Sequence, residues 1–264
     1  MKPFSATTIV SMRPLTWLNY VFGYGSLICS RSRSLTAPET LDREVTPVLV
    51  HGLERTWAKR STTGMTAMGV RFQEGAECVG VFLPLTDSEL LQFDEREKGY
   101  DRMPLRPADI EPVPFLDPKH YQGKQQQQFL RLIKERPDDV CLWVYVQQEN
   151  QYPTPEHPIV QTYVDTILRG CLSISDEFAT EFIKNTKGWH PEEIPALDDE
   201  SAISSSESED DGSVMFEPSW IDDRDDPVYI RGDPTYSRQN SDDLDQLLKK
   251  HRPGHFRHRR SKSA

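Results

Sequence analysis

The chain has 264 residues, enough for one ordinary domain with extensions or for two small ones. Apolar residues make up 36%, below the usual globular share, so part of the chain is expected to stay outside any core. The net charge of −11 is local: Asp198 to Asp226 holds twelve acids against one arginine, so the remainder sums to about zero and says nothing about what a core would bind.

Residues 1–16 carry Lys2, Arg13 and several hydroxyls, with no acid before Glu39. That resembles a transit segment, although a disordered leader is the plainer expectation. A cytoplasmic protein is expected, with an organellar one as the alternative. Leu18 to Phe22 predicts a strand that ends in the glycine turn GYGSL. Val45 to Leu53, Thr66 to Phe72 and Glu77 to Leu83 predict three more strands. Thr86 and Glu89 form a T-x-x-E capping box for a helix that runs to about Glu97, where Gly99 stops it. Asp101 to Glu111 predicts a strand interrupted by prolines.

Lys119 to Arg136 is rich in glutamine and charge, and reads as an exposed insertion with some helix. Val140 to Val146 is a buried strand. Two helices come next, Ile159 to Leu172 and Asp176 to Asn185, the second capped by Ser175 and stopped at Lys187-Gly188. A domain over residues 17–190 is therefore expected. Residues 191–215 read as a disordered acidic, serine-rich linker, because they bury too little to offset ordering entropy. Residues 216–264 would be a docking arm around Trp220 and Tyr229, a short helix at Asp242 to Lys250, and a basic tail with seven Lys/Arg. Strands first and helices late argue α+β rather than alternating βαβ units.

Cys29, Cys78, Cys141 and Cys171 have long, irregular spacings and no CxxC pair, which argues against a disulfide framework or zinc site. No apolar run approaches the length of a membrane span.

Two stretches carry chemistry. GYGSLI lacks the third glycine of a dinucleotide fingerprint, since Ile28 occupies its place, and Tyr24 rules out a G-x-S-x-G elbow around Ser26. What remains is either an ordinary turn or a loop whose free N–H groups cradle an anion. FDEREKGYDR, residues 93–102, is either a solvated charged face or the seat of a working carboxyl. Glu97 falls at the helix end, where the negative end of the dipole suits a group that exchanges protons.

A strand ending in FGYGSL, a helix ending in REKGY some 70 residues later, and Pro158…Tyr163…Gly170 in PIVQTYVDTILRGCL together resemble the γ-glutamylcyclotransferase family over about residues 17–188. The acid motif leaves Glu97 and Glu95 as candidates, with REK and Gly-Tyr favouring Glu97. The resemblance implies an α+β fold, a mixed β-barrel with flanking helices, here with a disordered acidic and basic C-terminal tail. It also implies cyclisation of a γ-glutamyl group to 5-oxoproline, with no cofactor and no metal. Glu97 would be the acid/base. The amides of Gly25, Ser26 and Leu27 would hold a carboxylate or oxyanion, and Tyr24, Tyr100 and Tyr163 would line the pocket. The partner implied is a small γ-glutamyl substrate, and no nucleic acid is expected. The alternative is a non-catalytic module of the same fold, regulated through Ser204, Ser205, Ser206, Ser208 and Ser261. The basic end is expected to fold back on the acidic stretch rather than to reach outward.

Overall fold

The computed structural model describes residues 19–189, 220–231 and 237–262. The expected leader, the acidic linker and the serines at 204–208 lie outside the described residues. The chain begins with β1 (Asn19–Gly23), buried along its whole length, and a short α1 (Ser30–Ser34). Next come β2 (Thr46–Arg60), β3 (Thr66–Leu85), α2 (Asp87–Arg96), β4 (Tyr100–Pro104) and β5 (Ile110–Pro112). Then follow α3 (Lys124–Glu135), β6 (Cys141–Gln147), β7 (Ile159–Val160), α4 (Gln161–Leu172), α5 (Asp176–Asn185) and β8 (Thr186–Lys187). The C-terminal part adds β9 (Trp220–Asp222), α6 (Ser241–His251), α7 (Pro253–Phe256) and β10 (Arg260–Ser261).

The architecture is α+β, as expected: one large mixed sheet with flanking helices. Its ladder runs β4-β6-β1-β3-β2-β5, with β8 added on β2. β1 lies antiparallel to β3 and parallel to β6. Six strands laid flat would separate β4 from β5 by about 24 Å, at about 4.8 Å per step. Yet only residues 105–109 join these two edges, and they include a tight 3-10 turn. So short a link forces the sheet to curl into a barrel-like shape whose gap is bridged by chain rather than by a ladder.

Three expectations change. Thr66–Phe72 and Glu77–Leu83 are one strand, because Gly52 and Gly75, both at positive φ, let the hairpin bulge and continue through the polar stretch between them. Asp101–Glu111 is two strands on opposite edges, since Pro104 and Pro107 interrupt it. Residues 119–136 are exposed on one face only. Phe129 of α3 is fully buried, and its ring packs at a tilt against Tyr20 and Phe82, with centroids 4.6 and 4.9 Å away.

Both predicted caps are present. The Thr86 side chain accepts from Glu89 N–H while Glu89 reaches back to Thr86 N–H, and Ser175 accepts from Phe178 N–H. By contrast, α4 has no cap from its own sequence. Asp223 supplies one: its carboxylate accepts from Thr162 N–H at 2.8 Å and from Thr162 Oγ1 at 2.6 Å. Asp165, buried within α4, forms a two-pronged bridge with Arg224 at 2.7 and 2.9 Å. Burial works against the charge on Arg224, but Asp165 and Asp245 outweigh it and hold the guanidinium above its ordinary range.

The described C-terminal residues are thus built onto the domain. β9 pairs with β7, and β10 with β9. The basic end meets acids: Arg259 bridges Asp245 at 2.7 Å and Asp222 at 3.3 Å, and Lys262 pairs with Asp226. The short helix expected at Asp242 to Lys250 is α6, and the basic end that follows, expected as disordered, carries α7 and β10. No helix among the described residues is long and apolar enough to cross a membrane.

Arg224→Ala leaves Asp165 buried without its partner. It is expected to cost about 3–5 kcal/mol, read by denaturant unfolding. Asp245 gives a pH test. Burial raises its carboxyl, but hydrogen bonds from Arg259 and Arg224 outweigh this and hold it below its ordinary 3.8. A carboxyl lowered on folding stabilises fully above its ordinary value and less as pH falls through the folded one. Hydrogen-exchange protection of α6 is therefore expected to fall as pH drops below about 4, and Asp245→Asn to flatten that dependence.

Candidate active site

The turn after β1 starts from glycines that have no room for a side chain. A Cβ on Gly23 would lie 2.9 Å from the Leu27 Cβ, and one on Gly25 would lie 3.2 Å from the Tyr163 hydroxyl. A Cβ on Gly170 would meet backbone, at 2.7 Å from Cys29 N. Gly170 and Tyr163 are seven residues apart, two turns of α4, and so share a face. That face presses the phenol of Tyr163 against the turn.

Ser26–Ile28 form a single 3-10 turn. Ile28 N–H donates to Gly25 O at 3.0 Å and Cys29 N–H to Ser26 O at 3.2 Å. Among the described residues, the N–H groups of Gly25, Ser26 and Leu27 have no acceptor.

Tyr24, Gly25, Ser26, Leu27, Glu97, Tyr100 and Tyr163 line one cavity. Of the site residues singled out from the sequence, these seven line it, and the alternative acid Glu95 does not. Met68 and Tyr145 complete the lining. The inner space is narrow, about 30 Å³. It widens outward into a cleft of about 590 Å³ that shares Ser26, Glu97, Tyr100 and Tyr163.

Glu97 is the C-terminal cap of α2. Its carboxylate is 17% exposed and faces the cavity, whereas Glu95 is 73% exposed and pairs with Lys98 on the surface. Arg96 is the residue that sequence reasoning missed. Its Nε pairs with Glu97 Oε1 at 2.9 Å, and one of its terminal nitrogens donates to Ser26 Oγ at 3.0 Å and to Ser32 Oγ at 3.1 Å. One guanidinium therefore ties the acid to the turn. Its position inside REK is the available signal. Glu97 Oε2 is engaged by no described residue.

The phenols are neutral. Burial first, then the charge of Glu97, pushes Tyr24 well above its ordinary value, and burial also raises Tyr100, Tyr145 and Tyr163. Tyr24 donates to Tyr145 O at 2.6 Å, Tyr100 to Met68 O at 2.8 Å, and Tyr145 to Asp94 Oδ1 at 2.8 Å. Tyr163 accepts from Met68 N–H at 3.4 Å. These rings wall the cavity and fix its shape. Tyr229 extends that wall from the C-terminal arm, 4.8 Å from the Tyr163 ring and bonded to Ser32 Oγ at 3.1 Å. No group of three His, Cys, Asp or Glu among the described residues is arranged to hold a metal.

No family model matches the chain, and no curated protein matches it by sequence. Solved structures do. The chain is similar to γ-glutamyl cyclotransferase structures. One described as a γ-glutamyl cyclotransferase matches at 14% identity over 62% of this chain and 85% of that chain, with a TM-score of 0.44. An uncharacterized protein from Homo sapiens matches at 15% over the same shares, also at 0.44. A γ-glutamyl cyclotransferase specific to glutathione, from yeast, matches at 11% over 62% and 84%, with a TM-score of 0.34.

Gly170→Ala forces a methyl into the Cys29 backbone, which cannot rotate away. The expected cost is about 1–3 kcal/mol by denaturant unfolding, with a matching loss of order in the 25–29 turn by amide exchange.

Proposed function

We propose that this protein is a γ-glutamylcyclotransferase, converting a small γ-glutamyl compound to 5-oxoproline and a free amine. The observation that carries this is a single cavity in which an available carboxylate oxygen, on Glu97, is opposed by three amides without acceptors, at Gly25, Ser26 and Leu27. The sequence resemblance points the same way. The candidate substrates are glutathione, a γ-glutamyl amino acid or a γ-glutamylamine.

The chemistry needs little beyond geometry. The α-amine and γ-carbonyl belong to one molecule, and holding the side chain bent makes the attack intramolecular. Glu97 Oε2 takes a proton from the α-ammonium, which frees the nitrogen lone pair. The nitrogen attacks the carbon of the γ-carbonyl, the new C–N bond closes a five-membered ring, and the carbonyl oxygen becomes an oxyanion. The amides of the turn stabilise that charge. The oxyanion then collapses, the original C–N bond breaks, and Glu97 gives its proton to the leaving nitrogen. The ring nitrogen sheds its extra proton to the carboxylate, which passes it to the released amine. Water is not consumed. Arg96 holds Oε1, so that Oε2 keeps one direction throughout.

The buried phenols stay protonated through these steps, and three of them already donate to the protein. They exclude water from the ring-closing geometry. The leaving group would extend into the wider cleft, past Lys98 and Tyr229.

Glu97→Gln is expected to lower 5-oxoproline release by roughly 10²–10⁴-fold, the usual reach of a general acid/base, with the melting temperature little changed. Glu95→Gln should leave release intact. Mass-spectrometric detection of 5-oxoproline across the three substrate classes measures both. Full activity in Glu97→Gln would remove the assignment.

A further inference from the structure

The arm that carries Tyr229 is anchored away from the cavity. Trp220 of β9 pairs with Ile159 of β7, and its ring centroid lies 5.3 Å from that of Trp189 and 5.8 Å from that of Phe256. Asp223, fully buried, caps α4 and also accepts from Val228 N–H at 2.8 Å. That second bond closes residues 223–228 into a loop and delivers the next residue, Tyr229, to the site. The Tyr229 ring is buried and stands edge-on to Tyr163.

From Tyr229 an unbroken chain of side chains leads to the candidate acid. The hydroxyls of Tyr229 and Ser32 share a hydrogen bond at 3.1 Å. Ser32 Oγ also accepts from Arg96 Nη2 at 3.1 Å, and Ser32 O accepts from Arg96 Nη1 at 2.9 Å. The other acceptors of these terminal nitrogens are Ser26 Oγ and Thr36 Oγ1. Ser32 thus takes two of the four hydrogen bonds that fix the guanidinium plane. The remaining nitrogen, Nε, lies 2.9 Å from Glu97 Oε1. Ser32 is 1% exposed and the Arg96 side chain 4%, so a bond lost here is not simply exchanged for one to bulk water. Whichever hydroxyl donates, the Tyr229 bond fixes the Ser32 side chain, which would otherwise turn among its staggered positions.

We propose that the Tyr229 hydroxyl is a positioning group for Glu97, acting through Ser32 and Arg96, so that the C-terminal arm completes the active site. Its catalytic consequence rests on the cyclisation reading. A freed Ser32 lets the Arg96 plane swing, and Glu97 Oε1 swings with it. Oε2 then loses its single direction toward the substrate nitrogen. Proton transfer is sensitive to that loss, because base and proton must meet within hydrogen-bond reach. The Tyr229 hydroxyl itself takes no part in making or breaking bonds. Ground-state binding depends on the cavity walls, and the Tyr229 ring still supplies its share of them without the hydroxyl.

The test removes the hydroxyl and keeps the ring, as Tyr229→Phe in the full chain. With the γ-glutamyl substrate that the parent turns over fastest, kcat for 5-oxoproline release is expected to fall roughly three- to tenfold, the reach of about one hydrogen bond, with KM unchanged. Ser32→Ala removes the next link. The double variant is expected to be no slower than the slower single one, since both cut one chain of contacts. Arg259→Ala loosens the far end of the arm, and should lower the melting temperature while keeping kcat. A readout without substrate is the rotation of the Arg96 guanidinium about its Nε–Cζ bond, measured by nitrogen NMR. It is expected to quicken by a similar factor in Tyr229→Phe and not in Arg259→Ala. The proposal falls if that rotation is unchanged, or if Tyr229→Phe of an active enzyme keeps full kcat. It also falls if the losses in Tyr229→Phe and Ser32→Ala multiply, or if KM alone rises, which would place the hydroxyl on the leaving group. If the parent releases no 5-oxoproline at all, the cyclisation reading fails, and the Arg96 rotation still decides whether the arm holds the partner of Glu97.

Discussion

Close packing of α4 against the turn at 25–29 governs the shape of the site. Gly170 lets the helix approach until a side chain would meet the Cys29 backbone at 2.7 Å. That approach carries Tyr163 onto Gly25 and closes one side of the cavity. It also has a cost, because α4 buries Asp165 and starts without a cap of its own. Both problems are solved by residues some sixty positions away. Asp223 caps the helix, and Arg224 neutralises Asp165. The C-terminal arm is therefore a structural partner of the site's central helix.

Arginines perform a second kind of closure. Arg55 is fully buried and makes no ion pair at contact distance among the described residues. Its guanidinium instead donates to Val79 O at 2.6 Å, Phe182 O at 3.0 Å and Thr186 Oγ1 at 2.8 Å, and it pairs with Asn185. Apart from Val79 O on β3, these acceptors lie at the C-terminal end of α5, which adds the negative end of its dipole and suits a cation. Arg33 does the same for the loop, donating to Ile28 O, Thr40 O and Arg43 O. Arg96 differs in linking side chains, and it alone of these three touches the candidate acid.

Much of this organisation is legible in the sequence, for local reasons. The Thr86–Glu89 box and the Ser175 cap are short-range hydrogen-bond patterns, and both are present. The strand before GYGSL and the helix before REKGY are likewise marked by apolar runs and stop signals. The misreadings have a common cause. A polar stretch such as QEGAE looks like a turn, but paired glycines can carry a hairpin through it. A glutamine-rich segment looks exposed, but one Phe129 is enough to anchor its helix in the core. The cap on α4 is invisible locally, because its donor and acceptor are far apart in the chain.

Residue order alone was sufficient for most of the elements, the glycine turn and a pair of acids at the end of α2. It could not choose between those acids by composition. Residues two apart on a helix project about 200° from each other, so when one faces inward the other faces solvent. Only the packing of α2 against the turn decided the direction: Glu97 lies inward against Arg96 and the free amides, and Glu95 lies outward with Lys98. Folding in three dimensions was needed for this because orientation about a helix axis is fixed by what the helix rests on.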